Sequence, residues 1–203
     1  MFPTRRHVDS DNSCLFSSIA YITDRKKFDE TSKLKYRKLV TDFIEKEKKY
    51  DSTLLGMDKE KYIDKMLNPN SWGGAIELEC FSKIFNIVIT SIDIETLKMY
   101  NFGENMNYTN RCYIIYNGSH YDPLVFATDE DTKKDITIFK VSDYMPQIYF
   151  SELAQSYKKK GLYKNGEENV EYYCMQCETI LKGQSSIAKH GFDTKHWDFK
   201  IIN

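Results

Sequence analysis

The chain has 203 residues, of which 41% are hydrophobic and 14% aromatic; that excludes wholesale disorder and suits one domain with a small appendix. With 9 Gly and 4 Pro it is neither collagen-like nor linker-dominated. Lys and Arg (29) nearly balance Asp and Glu (30) for a net charge of −1, so nucleic acid is not an expected partner, because phosphate binders carry a basic excess.

The start, MFPTRRHVDSDNS, is polar and lacks the apolar centre of a secretory signal. Ser13 is placed to cap a helix carrying Leu15, Phe16, Ile19 and Tyr21. Ser32 is placed to cap a second, with Leu34, Leu39, Val40, Phe43 and Ile44 on one side. A third, Lys59 to Leu67, stops before Pro69, and a fourth opens at Gly73-Gly74 and carries Ile76, Leu78, Phe81, Ile84 and Phe85. Strand patterns follow at Ile87–Ile92, Leu97–Phe102, Cys112–Tyr116, Tyr121–Phe126 and Ile136–Val141. Helices first and a sheet second predict an α+β architecture.

Residues 151–170 read as one helix and a charged linker with Gly161 and Gly166, and residues 171–203 as a separate small unit. The expected division is therefore 1–150, 151–170 and 171–203. No stretch reaches the roughly 18 apolar residues of a membrane helix. Five cysteines without an export signal point to thiols or metal ligands in a reducing compartment. A soluble, cytoplasmic protein is expected.

Cys14 sits in D-S-D-N-S-C-L-F. Turn formers precede it and a helical apolar pattern follows, so it falls in the first turn of a buried helix. Free N–H groups at a helix start favour a thiolate and can face a developing oxyanion. The plain alternative is a buried hydrophobic thiol, which is how Cys80 and Cys112 read. A cysteine nucleophile needs a base held by a third group. His190 and His196 belong to the terminal unit, and His7, beside two arginines, reads as a solvated side chain. His120 remains, in I-I-Y-N-G-S-H-Y-D-P-L, at a turn between two strands. Asp122, two residues on, shares its strand face and can fix the imidazole tautomer. Pro123 restricts Asp122 to extended conformations.

In the terminal unit two residues separate Cys174 from Cys177, twelve lead to His190 and five more to His196. This is the spacing of a tetrahedral two-Cys, two-His zinc site. Leu181 and Ile187 stand where a small ββα finger keeps its apolar residues. Four ligands close the shell, so the one zinc is expected to be structural, supplying the folding energy such a small unit lacks. A single, weakly basic finger is a poor DNA binder, and a protein contact suits it better.

D-N-S-C-L-F (Asp11–Phe16), W-G-G-A-I-E-L (Trp72–Leu78) and G-S-H-Y-D-P-L (Gly118–Leu124) together resemble the ovarian tumour (OTU) family of cysteine deubiquitinases. The subgroup of ubiquitin thioesterases ending in a zinc finger also resembles this chain at Thr4–Arg6 and Phe102–Arg111. The resemblance implies a papain-like OTU fold, with helices packed on a central, mostly antiparallel sheet. It implies Cys14 as nucleophile, His120 as general base and Asp11 as an active-site residue of the Asp-x-x-Cys signature. The loop from Val8 to Cys14 would supply oxyanion donors. Either Asp122 or Asp11 would be the acid of the site; the spacing argument favours Asp122 as the orienter, leaving Asp11 to order the cysteine loop.

The Gly73-Gly74 pair either lets a backbone or the substrate's Gly-Gly tail approach closely, or opens a helix beside a core-packed Trp72. Glu77 is either a buried, paired carboxylate or a helix-surface one. The resemblance implies a thiol-dependent deubiquitinase, cleaving isopeptide, peptide or thioester bonds at the C-terminal glycine of ubiquitin. Its partners would be ubiquitin, polyubiquitin chains and ubiquitinated proteins. Subgroup members carry an N-terminal UBX-like domain that docks on the valosin-containing AAA ATPase. Here the cysteine motif begins within ten residues of Met1, so that recruitment is not expected. The other reading is a catalytically inactive zinc-finger module binding ubiquitin chains or nucleic acid.

Overall fold

The structure, a computed structural model, describes residues 1–24, 30–128, 131–162, 171–182, 184–194, 196 and 199–202. Strand β1 (Phe2–Arg5) is followed by helices α1 (Cys14–Asp24), α2 (Glu30–Lys46), the single turn α3 (Ser52–Leu55), α4 (Lys59–Leu67) and α5 (Ala75–Phe85). Strands β2 (Val88–Asp93), β3 (Met99–Phe102), β4 (Asn110–Tyr116), β5 (Tyr121–Ala127) and β6 (Phe139–Lys140) come next, then α6 (Met145–Lys159). The chain ends with β7 (Glu171–Cys174), β8 (Ile180–Lys182), α7 (Gln184–Thr194) and β9 (Phe199–Ile201).

Among the described residues one sheet runs in the order β1-β5-β4-β2-β3, with β6 on the start of β4. Its pairs are antiparallel except β2 with β4. The α+β class and the mostly antiparallel sheet are as expected. Side chains alternate across a strand, and β4 feeds two cores: Cys112 and Ile114 face one, Tyr113 and Ile115 the other. The first core holds α1, α2 and α5, and the second holds α6. A strand covered on both faces carries no polar alternation, which is why β4 reads as an almost continuous apolar run. Helix α1 is buried from Cys14 through Ile22. Phe81 of α5 locks onto it, edge-on to Phe16 at 6.0 Å and against Tyr36 and Phe85.

Several elements differ from expectation. Strand β1 was not expected, because F-P-T-R carries little apolar signal; its Pro3 suits a sheet edge, where a missing N–H costs least. Helix α2 already begins at Glu30, so Ser32 lies inside it rather than capping it. The strand expected over Ile136–Val141 shrinks to Phe139–Lys140, because Ile136 bridges to Phe126 on β5 while Phe139 pairs with Arg111 on β4. Changing partner breaks the ladder. The helix expected from residue 151 starts at Met145, with Pro146 in its first turn. The expected boundary at 150 therefore cuts α6, whose Phe150 and Ala154 are fully buried with Tyr113 and Phe139. The linker expected before residue 171 lies outside the described residues from residue 163 on.

The terminal unit holds the expected two strands and helix, and adds β9, which pairs with β7. Among the described residues no helix is long and apolar enough to cross a membrane.

Candidate active site

The site is assembled by one helix start and one hairpin. Asp11 builds the approach to α1: its Oδ1 accepts the Ser13 N–H at 2.8 Å, and its carbonyl accepts the Cys14 N–H at 3.3 Å. This turn sets Cys14 as the first residue of α1, 7% exposed. The β4–β5 hairpin supplies the histidine. Asn117 Oδ1 accepts the N–H groups of Ser119 (3.1 Å) and His120 (2.8 Å), and Gly118 takes φ 106°, so the turn is built by the residue types such turns need. Tyr116 and Tyr121 stack at 4.5 Å at the base of the turn, and their rings also wall a cleft of about 270 Å³ lined by Tyr100, Phe102 and Asp93.

His120 meets both expected partners. Its Nε2 donates to Asp122 Oδ1 at 3.0 Å, and the Cys14 thiol lies near enough to act on the charge of the ring. With Nε2 taken, Nδ1 is the nitrogen left for the sulfur. Burial disfavours the imidazolium, yet the Asp122 hydrogen bond and the Cys14 interaction outweigh it and push the His120 pKa up to about 9. Asp122 is 1% exposed and both its oxygens are engaged. Oδ1 also accepts the Val8 N–H at 3.0 Å; Oδ2 lies 3.5 Å from Arg5 Nε and 3.5 Å from His7 Nδ1.

Asp11 does not join this group. Its Oδ2 pairs with Lys33, a lysine 5% exposed on α2 that also reaches Asp9 at 3.6 Å. The loop's other amides are largely used: Val8 donates to Asp122, Asp11 to Asp9, Ser13 and Cys14 to Asp11. Cys80 and Cys112 are fully buried and burial pushes both thiols up to about 12, so neither is poised as a nucleophile.

The tryptophan-diglycine segment lies against the cysteine loop. Trp72 is half exposed, and its indole N–H donates to Asn12 Oδ1, so it is not the core residue one reading expected. A Cβ on Gly73 would sit 3.0 Å from the Phe16 ring, whereas one on Gly74 would meet nothing within 4 Å. Glu77 is the buried, paired carboxylate: it accepts from Tyr62 OH at 2.6 Å and from the Gly74 N–H at 2.7 Å.

Sequence reasoning missed Arg37, Arg5 and Lys33. Arg37, fully buried on α2, donates to the carbonyls of Asn12 (3.0 Å), Met66 (2.9 Å), Pro69 (3.1 Å) and Ser71 (2.7 Å) and to Ser13 Oγ (3.0 Å), and it stacks on Phe16 at 4.2 Å. It ties the cysteine loop to the segment before Trp72. The only sequence signal was a charge on the apolar side of a helix.

Two groups of side chains bring together metal-ligating atoms. Cys174, Cys177, His190 and His196 offer donors all within 4.8 Å of one another. Cys177 Sγ lies 3.3 Å from His190 Nε2, and His196 Nδ1 is buried with no hydrogen-bond partner among the described residues. Hydrogen bonds from Thr179 hold the Cys177 thiol down to about 6, towards the thiolate that metals bind. An orphaned imidazole nitrogen beside two sulfurs fits a soft divalent cation. His7, His120 and Asp122 form the second group. There the carboxylate oxygens already face donors, a guanidinium among them, so this group is a hydrogen-bonded cluster.

A thiol at a helix start, an imidazole against it and a buried carboxylate behind the imidazole define the class of cysteine hydrolases. The OTU-like cysteine protease family matches residues 9–128, and the chain belongs to that family. It is 33% identical over 196 residues to the ubiquitin thioesterase OTU1 of Xenopus laevis, covering 96% of this chain and 64% of that protein. It is 34% identical over 201 residues to the OTU1 of Dictyostelium discoideum, covering 98% and 61%. The chain thus spans less than two thirds of these relatives. Among solved structures, an ovarian tumour domain in complex with ubiquitin matches with TM-score 0.69 and 27% identity, over 79% of this chain and 90% of that one.

Proposed function

We propose that the chain is a cysteine-type deubiquitinase that hydrolyses isopeptide, peptide or thioester bonds at the C-terminal glycine of ubiquitin. The observation that carries this reading is the grouping of Cys14 with the hydrogen-bonded pair His120–Asp122, with the imidazole biased towards its cation. Membership of the OTU-like family and likeness to an OTU domain bound to ubiquitin support the substrate.

Cys14, as thiolate, attacks the glycine carbonyl. The Asn12 N–H, the amide of the Asp11–Cys14 turn that the loop's own hydrogen bonds leave open among the described residues, faces the oxyanion. The His120 imidazolium gives its proton to the leaving lysine amine, and the acyl-enzyme remains on sulfur. Neutral His120 then takes a proton from water, hydroxide adds to the thioester, and the thiolate departs. Asp122 keeps the imidazole oriented throughout, and Asp11 orders the turn that carries Cys14. Polyubiquitin chains and ubiquitinated proteins are the substrates in this reading.

Cys174, Cys177, His190 and His196 would hold one structural zinc, which supplies cross-linking and no chemistry. A reducing cytoplasm, which keeps a thiol such as Cys14 unpaired, is the setting this reading expects. The test is a ubiquitin with a C-terminal electrophile. It should label the wild type and leave Cys14→Ala unlabelled; equal labelling of the variant overturns the assignment.

A further inference from the structure

The segment after β1 converges on the one buried carboxylate of the site. Strand β1 pairs with β5, Arg5 opposite Leu124, and the Arg6 N–H donates to the Pro123 carbonyl at 3.1 Å. The chain therefore passes directly over Asp122. Four donors then surround its two oxygens. His120 and the Val8 amide take Oδ1; Arg5 and His7 face Oδ2. Arg5 Nη2 also lies 2.9 Å from His7 Nε2, which leaves His7 Nδ1 facing Asp122. The Arg5 guanidinium is itself seated 5.0 Å over the Tyr157 ring of α6. An Asp side chain on a strand has two freely exchanging oxygens and more than one rotamer. The Val8 amide on the near oxygen and the Arg5 and His7 side chains on the far one together select the rotamer that aims Oδ1 at His120.

We infer that Arg5, assisted by His7, is a positioning residue that holds Asp122 in the orientation that orients His120. This rests on the reading of His120 as the catalytic base. The strand contributes to catalysis without touching substrate, through a second layer of contact behind the acid.

The test is the pH dependence of kcat and KM on ubiquitin carrying a C-terminal fluorophore amide. The charged and titratable groups facing His120 and Asp122 are Cys14 from α1, Arg5 and His7 from the β1 end, and Tyr157 from α6. If Arg5 were only a nearby cation, its removal would leave Asp122 in place and raise the basic limb of the profile. If it positions Asp122, its removal frees the carboxylate and lowers that limb.

Arg5→Met is expected to cut kcat about tenfold with KM within twofold, as misplacement of a catalytic group does, and to shift the basic limb down. Arg5→Lys should recover most of the loss. Arg5→Met added to Asp122→Ala should cost nothing more. An unchanged kcat, a basic limb that rises, or full additivity with Asp122→Ala overturns the inference. If Arg5→Met does not fold, His7→Ala at an exposed side chain gives the same readout, with about a twofold loss of kcat; no loss and no shift overturns it. A labelled Cys14→Ala would instead sink the enzymatic reading, so the two failures are distinguishable.

Discussion

The cluster at Cys14 and the cluster at Cys174 use the same side chains on different physical terms. Cys14 comes from α1 and His120 and Asp122 from the β4–β5 hairpin, and every approach to them is fixed by core packing or by hydrogen bonds: Asp11 and Lys33 behind the cysteine, Asn117 under the histidine, Arg5 and Val8 around the aspartate. The other four come from a short unit in which, among the described residues, Tyr172 and Cys174 are the buried apolar side chains and His196 Nδ1 has no hydrogen-bond partner. One cluster is held by the fold; the other, in the proposed reading, would hold its unit together through a bound metal. At the first, Asp122 and Cys14 push the imidazole towards its cation against the effect of burial, whereas at the second the hydrogen bonds of Thr179 favour the Cys177 thiolate.

Metal removal should separate the two most sharply. A chelator, or Cys177→Ser, is expected to unfold residues 171–203, since bound zinc supplies about 10–16 kcal/mol to such units. Hydrolysis of a ubiquitin fluorophore amide should stay within about twofold, because the core at α1, α5 and β4 shares no ligand with the finger. Metal content by mass spectrometry and turnover on the same sample check it; joint loss of both breaks the contrast.

Next in size are the site substitutions. His120→Ala should lower kcat by about 10²–10⁴, the range of a positioned acid–base group. Asp122→Ala should cost less, and Asp11→Ala less again in kcat, since Asp11 faces Lys33 and not His120. A larger kcat loss in Asp11→Ala than in Asp122→Ala would reverse the two assigned roles.

These roles were unequally legible. Cys14, His120 and Asp122 stood out because turn formers, helix period and strand alternation are local signals. So did the four ligand positions of the finger, whose spacing is local too. Arg37, Arg5 and Lys33 were hidden because the hydrogen-bond and ion-pair partners that tie them to the site lie from 22 residues (Lys33 to Asp11) to 117 residues (Arg5 to Asp122) away, and one charge in a helix or at the chain start carries no pattern. Strand β1 was hidden likewise: it is a strand only because β5 offers it an edge. The shrunken β6 shows the converse, a clean alternation defeated by a change of pairing partner.

A smaller effect is expected from pH. The folded pKa of His120, about 9, lies above the ordinary 6.5. Its cation therefore adds stability that is fully present below about 6.5 and is lost as pH rises through about 9. The basic limb of kcat/KM should fall at the same upper value, where the leaving group loses its acid. Asp122→Asn should move that limb down. A limb that stays in place in Asp122→Asn would remove the carboxylate from the control of His120.

The finest contrast lies within one dipeptide. Gly73 and Gly74 stand side by side, yet a methyl on Gly73 would press on the Phe16 ring, which is fully buried between Arg37 and Phe81 and has nowhere to go. Gly73→Ala should cost about 1–3 kcal/mol in thermal unfolding, as overpacking does. Gly74 caps α5 with open space above it. Gly74→Ala should unfold at the wild-type temperature. If the substrate's glycine tail runs through that space, the same methyl should raise KM severalfold with kcat preserved, because a ground-state contact is lost and the Cys14–His120 pair is untouched. An unchanged KM would place the tail elsewhere and leave Gly74 with its capping role alone.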